Sequence, residues 1–156
     1  MNGGNNLNLV KLNENLDYQI ALEKLRFDEA FDFAALAFYE NENQVSPIKW
    51  RYVSGNLNER YKLIVLRKGK GLAGTVMKTG KRMIIEDVNH DAIKNEKHKY
   101  PIIMSESLTA MIAIPLWYEH YVYGVLLLGQ RDNKPLPKAH NQISITNKFG
   151  IFKEED

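Results

Sequence analysis

Two apolar runs, Leu108 to Leu116 and Tyr121 to Gly129, flank the short link Trp117-Tyr118-Glu119-His120. Such a pair reads as two strands joined in a hairpin at the centre of a sheet. Other segments can join them. Ile48 to Val53 alternates apolar and charged residues, with Ile48, Trp50 and Tyr52 on one face and Lys49 and Arg51 on the other. This predicts a half-buried strand with Trp50 pointing inward. Tyr61 to Leu66 and Met83 to Val88 read as further strands. Phe31, Phe33, Ala35, Ala37 and Tyr39 alternate as a strand does, although the alanines also suit a helix. The strand reading is favoured, ending at the turn Glu40-Asn41-Glu42-Asn43.

Helices are fewer and short. Glu14 to Phe27 carries Leu16, Ile20 and Leu25 near one face, with Asn13 or Asn15 as its cap. A second runs from Leu72 to Thr79 and stops at Gly80. Pro101 suits the first position of a third. Residues from Arg131 onward are polar and resist assignment. The sum is an α+β fold with a mainly antiparallel sheet.

A chain of 156 residues fits one domain. Residues 1–12, rich in Asn and Gly, read as a flexible segment and 13–156 as the single domain. There is no cysteine, which excludes disulfides, a thiol nucleophile and thiolate metal sites. The first residues lack the basic and apolar regions of a signal peptide, and no apolar run has the length of a membrane span. A cytoplasmic protein is expected. The formal charge is +2, and no regular interleaving of basic and aromatic residues points to nucleic acid.

Gly69-Lys70-Gly71-Leu72-Ala73-Gly74-Thr75-Val76 follows Leu63-Ile64-Val65-Leu66. A glycine turn that opens a helix presents free backbone N–H groups and the positive end of the helix dipole, which suits an anion. Arg67, Lys68, Lys70, Lys78, Lys81 and Arg82, with no acid among them, add a positive field or form an ordinary solvated surface. Gly69-x-Gly71-x-x-Gly74 matches the dinucleotide fingerprint, but Gly80 ends the helix too early for a crossover back to a parallel strand. Walker and kinase patterns are absent. The four histidines, His90, His98, His120 and His140, show no metal-ligand spacing. Glu86 and Asp87 are adjacent on a strand and point to opposite faces. No catalytic residues and no metal site are assigned, and a binding module is favoured over an enzyme.

Taken together, the chain resembles a GAF domain from about Glu14 to Gly129. The likeness rests on Lys70-Gly71-Leu72-Ala73-Gly74-Thr75-Val76, Thr79-Gly80-Lys81-Arg82-Met83-Ile84-Ile85-Glu86-Asp87, Ile112-Ala113-Ile114-Pro115-Leu116 and Tyr123-Gly124-Val125-Leu126-Leu127-Leu128. It implies a small-ligand sensor with the ligand pocket on one face of a central antiparallel sheet. Bilin-carrying and methionine-sulfoxide-reducing members use cysteine, which this chain lacks. The spaced Asn-Lys…Phe…Asp-Glu signature of cyclic-nucleotide binders is not matched by the compact Asn147-Lys148-Phe149. The long C-terminal helix usual in the family finds little support after Arg131. Within the family, Ile48-Lys49-Trp50-Arg51-Tyr52, the glycine turn and Tyr100-Pro101-Ile102-Ile103 are most similar to stand-alone nitrate-receptor domains. That likeness implies nitrate as ligand, no cofactor, and a partner oxygen-sensing histidine kinase in a two-component system for nitrate respiration. It implies neither a nucleic-acid nor a membrane partner, and it allows a homodimer.

The residues fit that ligand. Nitrate is planar, singly charged, weakly hydrated and accepts hydrogen bonds only, so it needs neutral N–H donors in an apolar cavity. A helix starting near Gly71 offers the amides of Leu72, Ala73 and Gly74. A helix opened by Pro101 offers those of Ile102 and Ile103. Trp50 adds an indole N–H, a donor only, and the Tyr100 ring can cap the pocket. A wall of Leu72, Ala73, Val76 and Ile102 disfavours a dianionic phosphate, which calls on inward Arg or Lys, although Lys70 is within reach. The plainer readings stay open: Trp50 as core, Gly71 and Gly74 as packing devices, Pro101 as a helix starter. A ligand-free interaction module and a nucleotide-using enzyme are the alternatives.

Overall fold

The computed structural model describes residues 16–41 and 43–155. The flexible segment expected over 1–12 and the caps expected at Asn13 and Asn15 lie outside them. Within them, the first helix, α1, runs Tyr18–Asp28, and the Asp17 side chain caps it by accepting from the Ile20 N–H. Five strands then form one antiparallel sheet: β1 Phe33–Tyr39, β2 Ile48–Ser54, β3 Met83–Ile85, β4 Ala110–Tyr118 and β5 Tyr121–Gln130, in the order β2-β1-β5-β4-β3. The α+β reading and the hairpin hold. The turn is tighter than expected, because Trp117 and Tyr118 pair with Val122 and Tyr121 and leave only Glu119 and His120 between the strands. With β1 against its outer side, β5 is the middle strand.

The sheet is buried on both faces. All seven residues of β1 are buried. Phe33, Ala35, Ala37 and Tyr39 face one cluster, while Ala34, Leu36 and Phe38 face the other. A strand with no solvent face reads as a continuous apolar run, and its alanines leave room for neighbours on both sides. The first cluster is covered by α2 (Gly71–Thr79), a 3-10 turn at Arg60–Leu63, and α4 (Pro101–Ser105). The short α3 (Asp91–Lys94) precedes α4 in the chain. The second cluster is covered by α1 and by residues after Arg131. A 3-10 turn at His140–Gln142 leads into a loop that buries Ile143, Ile145, Phe149 and Phe152. The loop is fixed where Trp117 and Lys153 exchange backbone hydrogen bonds, and where Arg82 meets Glu154 at 2.6 Å. The described residues of this region contain no C-terminal helix. Four buried apolar side chains do a helix's work here, each worth about 1.5–3 kcal/mol of burial.

Three strand expectations need correction. Leu36 pairs with Tyr52 and Ala37 with Trp50, so Arg51 is the extra residue of a bulge. The alternation breaks there. Trp50 and Ile48 face the α2 side, whereas Tyr52 faces α1 and stacks on Tyr18 at 5.5 Å. Tyr61 to Leu66 is not a strand. It begins as the 3-10 turn, which Asn58 initiates by accepting from the Arg60 N–H. Only Leu66 pairs with the sheet, through two backbone hydrogen bonds with Ile48. β3 ends at Ile85, so Glu86 to Val88 lies beyond it.

Asp32, just before β1, ties the start of that strand to the end of β5. Its carboxylate accepts from the Arg131 N–H at 2.9 Å and from Lys134 Nζ at 2.7 Å. Burial pushes its pKa up, but the Lys134 and Arg131 contacts outweigh burial and hold it below the usual 3.8. A depressed carboxylate adds stability above its unfolded pKa and loses that contribution as pH falls through the folded one. Urea unfolding of wild type and D32N should therefore show wild type the more stable at neutral pH. The gap should narrow as pH drops below 3.8; a gap constant with pH would remove the carboxylate from this role.

Candidate functional site

The face under α2 and α4 gathers every sequence-predicted site residue except Gly74 into one apolar cluster: Trp50, Leu72, Ala73, Tyr100, Ile102 and Ile103. Gly74 is buried beside them in α2. Tyr100 is half-buried at the rim and the others are no more than 3% exposed.

Trp50 reaches this face from β2. The bulge at Arg51 leaves Trp50 opposite Ala37, whose small side chain makes room for the indole. Its Nε1 is buried and has no hydrogen-bond partner. An indole nitrogen only donates, and a buried donor left unmade costs about 1–3 kcal/mol. Most buried polar atoms in folded proteins are paired, so this one invites an acceptor.

The α2 end is set by packing around two glycines. Gly71 has φ +67°, and a Cβ there would lie 2.6 Å from the Leu66 side chain. Leu66 bridges to Ile48, two residues from Trp50, so β2 and the start of α2 are joined through one leucine. Gly74 lies against the preceding turn: a Cβ would sit 2.3 Å from the Arg67 carbonyl oxygen. The Gly74 carbonyl also accepts from the Gly69 N–H at 2.7 Å. Lys70 is the N-cap, so Gly71, Leu72 and Ala73 form the first turn of α2. The N–H groups of Leu72 and Ala73 have no carbonyl one turn back. Gly74 thus shapes the turn, one residue beyond the first-turn amides.

At α4, Pro101 occupies the first helical position as expected. The Ile103 N–H bonds to the Tyr100 carbonyl at 3.0 Å, so it is not available. Pro101 has no N–H. Ile102 is left as the first-turn donor, and Ile103 contributes its side chain. Trp50 Nε1 and the amides of Leu72, Ala73 and Ile102 are the leading candidate donors.

The basic residues around α2 stay outside. Lys70, Lys78 and Lys81 are exposed. Arg67 donates to the Val45 carbonyl, Lys68 to Gln44, and Arg82 is held by Glu154. The cluster thus combines neutral donors with apolar walls. Such surroundings suit a small, weakly hydrated monoanion better than a phosphate dianion. Among the described residues, no group of three His, Asp or Glu side chains stands together to hold a metal, and no helix is long and apolar enough to cross a membrane.

Two structural residues escaped the sequence reading. Glu106 is 0% exposed and ends α4. Its Oε1 accepts from Arg131 at 2.6 Å and from the Leu57 N–H at 2.8 Å. A lone acid between two serines carries no pattern, and Arg131 looks like a surface residue after a strand.

Comparison with known proteins agrees with this architecture. The GAF domain family profile matches residues 18–142. An NreA protein of Staphylococcus aureus, mutated in its nitrate binding site, is 63% identical with a TM-score of 0.74, over 78% of this chain and 90% of that one. Another structure so described is 58% identical, TM-score 0.78, over 86% and 97%. The GAF domain of an Acinetobacter phosphoenolpyruvate-protein phosphotransferase is 18% identical, TM-score 0.62, over 89% and 76%, which speaks for the fold alone. None of the curated proteins compared matches the chain.

The Gly74 geometry yields a direct expectation. G74A should lower the unfolding free energy by about 1–3 kcal/mol, because the new methyl meets backbone that cannot swing aside. Urea denaturation measures this, and a neutral outcome would show that the turn can open.

Proposed function

The chain belongs to the GAF domain family, and we propose that within it the protein is a nitrate sensor, not an enzyme. The observation that carries this reading is the buried Trp50 Nε1 without an acceptor, in the same apolar cluster as Leu72, Ala73 and Ile102. The high identity to NreA structures described by a nitrate binding site supports it.

Nitrate has three oxygens and one negative charge. In this reading it takes the indole N–H from β2, the amides of Leu72 and Ala73 from the first turn of α2, and the Ile102 amide from α4. The positive end of the α2 dipole faces the charge. The side chains of Leu72, Ala73 and Ile102 keep water out, which strengthens each hydrogen bond. The Tyr100 ring closes the rim.

Signalling follows from the same geometry. The ligand ties β2, α2 and α4 together and so orders the surface between Asn89 and Ser107. The proposed reader of that surface is the oxygen-sensing histidine kinase of a cytoplasmic two-component system for nitrate respiration. Nitrate changes kinase control only if it binds one conformation more tightly than another.

Calorimetric titration of nitrate-free protein with sodium nitrate tests the reading, with nitrite, phosphate and chloride as controls. Saturable one-site nitrate binding with phosphate silent is expected. W50F should weaken binding roughly ten- to a hundredfold, the worth of one hydrogen bond to a charged acceptor, about 1.5–3 kcal/mol. It breaks no hydrogen bond within the protein, so only the smaller ring should register in urea unfolding. Absence of heat and of a thermal shift at millimolar nitrate would sink the proposal and favour a ligand-free interaction module.

A further inference from the structure

Three tethers converge where α4 ends. Glu106, its C-terminal cap, is fully buried, and the Arg131 side chain that meets it is 12% exposed. Arg131 Nη2 donates to Glu106 Oε1 at 2.6 Å and Nε to the Glu106 carbonyl at 2.7 Å. The same guanidinium donates through Nη1 to the Gly55 carbonyl at 2.9 Å and lies over the Phe33 ring at 5.5 Å. Glu106 Oε1 also accepts from the Leu57 N–H at 2.8 Å, and Asn58 Nδ2 donates to the Ser105 carbonyl at 2.7 Å.

Residues 55–58 follow β2, the strand that carries Trp50. One ion pair therefore fixes the end of α4 to the end of β2 and to the end of β5. α4 spans only five residues, Pro101–Ser105, so whatever holds its last turn also sets its first, where Tyr100 and Ile102 sit. The pair is also an incomplete one. Glu106 Oε2 is buried without a partner. Burying a charged pair costs several kcal/mol per ion in desolvation, and a hydrophobic replacement of similar volume is often no less stable. Such a pair is weakly explained by stability and better explained by the geometry it enforces.

We infer that Glu106 and Arg131 are positioning residues of the anion site, holding the Ile102 amide in register with Trp50 Nε1 without touching the ligand. This rests on the nitrate reading. It predicts that loosening the pair weakens nitrate binding more than the loss of global stability explains.

The test compares E106A, E106Q and, as a tether on the opposite face of the sheet, E154A, which removes the partner of Arg82. Each is titrated calorimetrically with sodium nitrate well below its melting temperature. The emission of Trp50 is read without nitrate in a W117F background, since Trp50 and Trp117 are the two tryptophans. E106A should lose nitrate affinity by roughly tenfold or more and shift the Trp50 emission to the red. E106Q keeps an oxygen for Leu57 and Arg131 and should restore affinity to within about threefold of wild type. E154A should lose stability with affinity and emission unchanged. Folded E106A with wild-type affinity and wild-type emission overturns the inference, as does an equal affinity loss in E154A. If E106A does not fold, R131K serves: lysine keeps the charge but cannot span Glu106 and Gly55 at once, and unchanged affinity and emission there overturn the inference too. If wild type itself takes no nitrate, the functional reading fails, and the Trp50 emission decides the positioning role by itself.

Discussion

Burial of the central strands on both faces governs the rest of this fold. β1 is buried throughout and β4 and β5 are buried away from their hairpin end, so each face of the sheet must be covered by something apolar. One face is covered by α1 and by the loop carrying Ile143, Ile145, Phe149 and Phe152. The other is covered by short elements, and short helices have a high proportion of unpaired N–H groups, since the first turn is never bonded within the helix. Laying such ends over an apolar sheet face brings free amides beside buried side chains. The proposed anion site is thus tied to how that face is covered.

The charge arrangement follows the same logic. Lysines and arginines near α2 remain exposed or find partners at the surface. A lysine brought into this cluster would carry a desolvation cost of several kcal/mol, recovered only by a permanent anion. Neutral amides and an indole N–H impose no such demand, since they carry no charge to desolvate. The exposed cations can still raise the local concentration of anions through their field, an effect that salt screens over about 10 Å.

Much of this was legible in the sequence, where local chemistry decides the outcome. The apolar runs gave the hairpin, Gly80 stopped α2, and Pro101 opened α4, because each depends on one segment's own preferences. Trp50, Leu72, Ala73 and Ile102 follow as candidates from the amides and the indole that such elements leave free, and the structure places their side chains in one cluster. What escaped depends on pairing between segments. The bulge at Arg51, which turns Tyr52 to the α1 face, exists because of the register with β1. The 3-10 turn at Arg60–Leu63 replaces a strand because residues 56–59 bond to themselves and to α4. The tail after Arg131 has no helical period, since its apolar residues are placed to fill the second face as a loop. Glu106 and Arg131 lie 25 residues apart, and neither segment hints at the other.

The unsatisfied Trp50 donor bears on how such a site could switch. A ligand present at about a hundred times its dissociation constant stabilises the state that binds it by about 2.7 kcal/mol. The cost of one buried, unmade donor is of the same order, about 1–3 kcal/mol. In the proposed site, the cost of the unmade donor is therefore comparable to what an anion can supply. That balance favours a surface whose order follows occupancy, because neither state is held by a margin that the ligand cannot overcome. A fully satisfied core at Trp50 would be more stable and would have nothing to report.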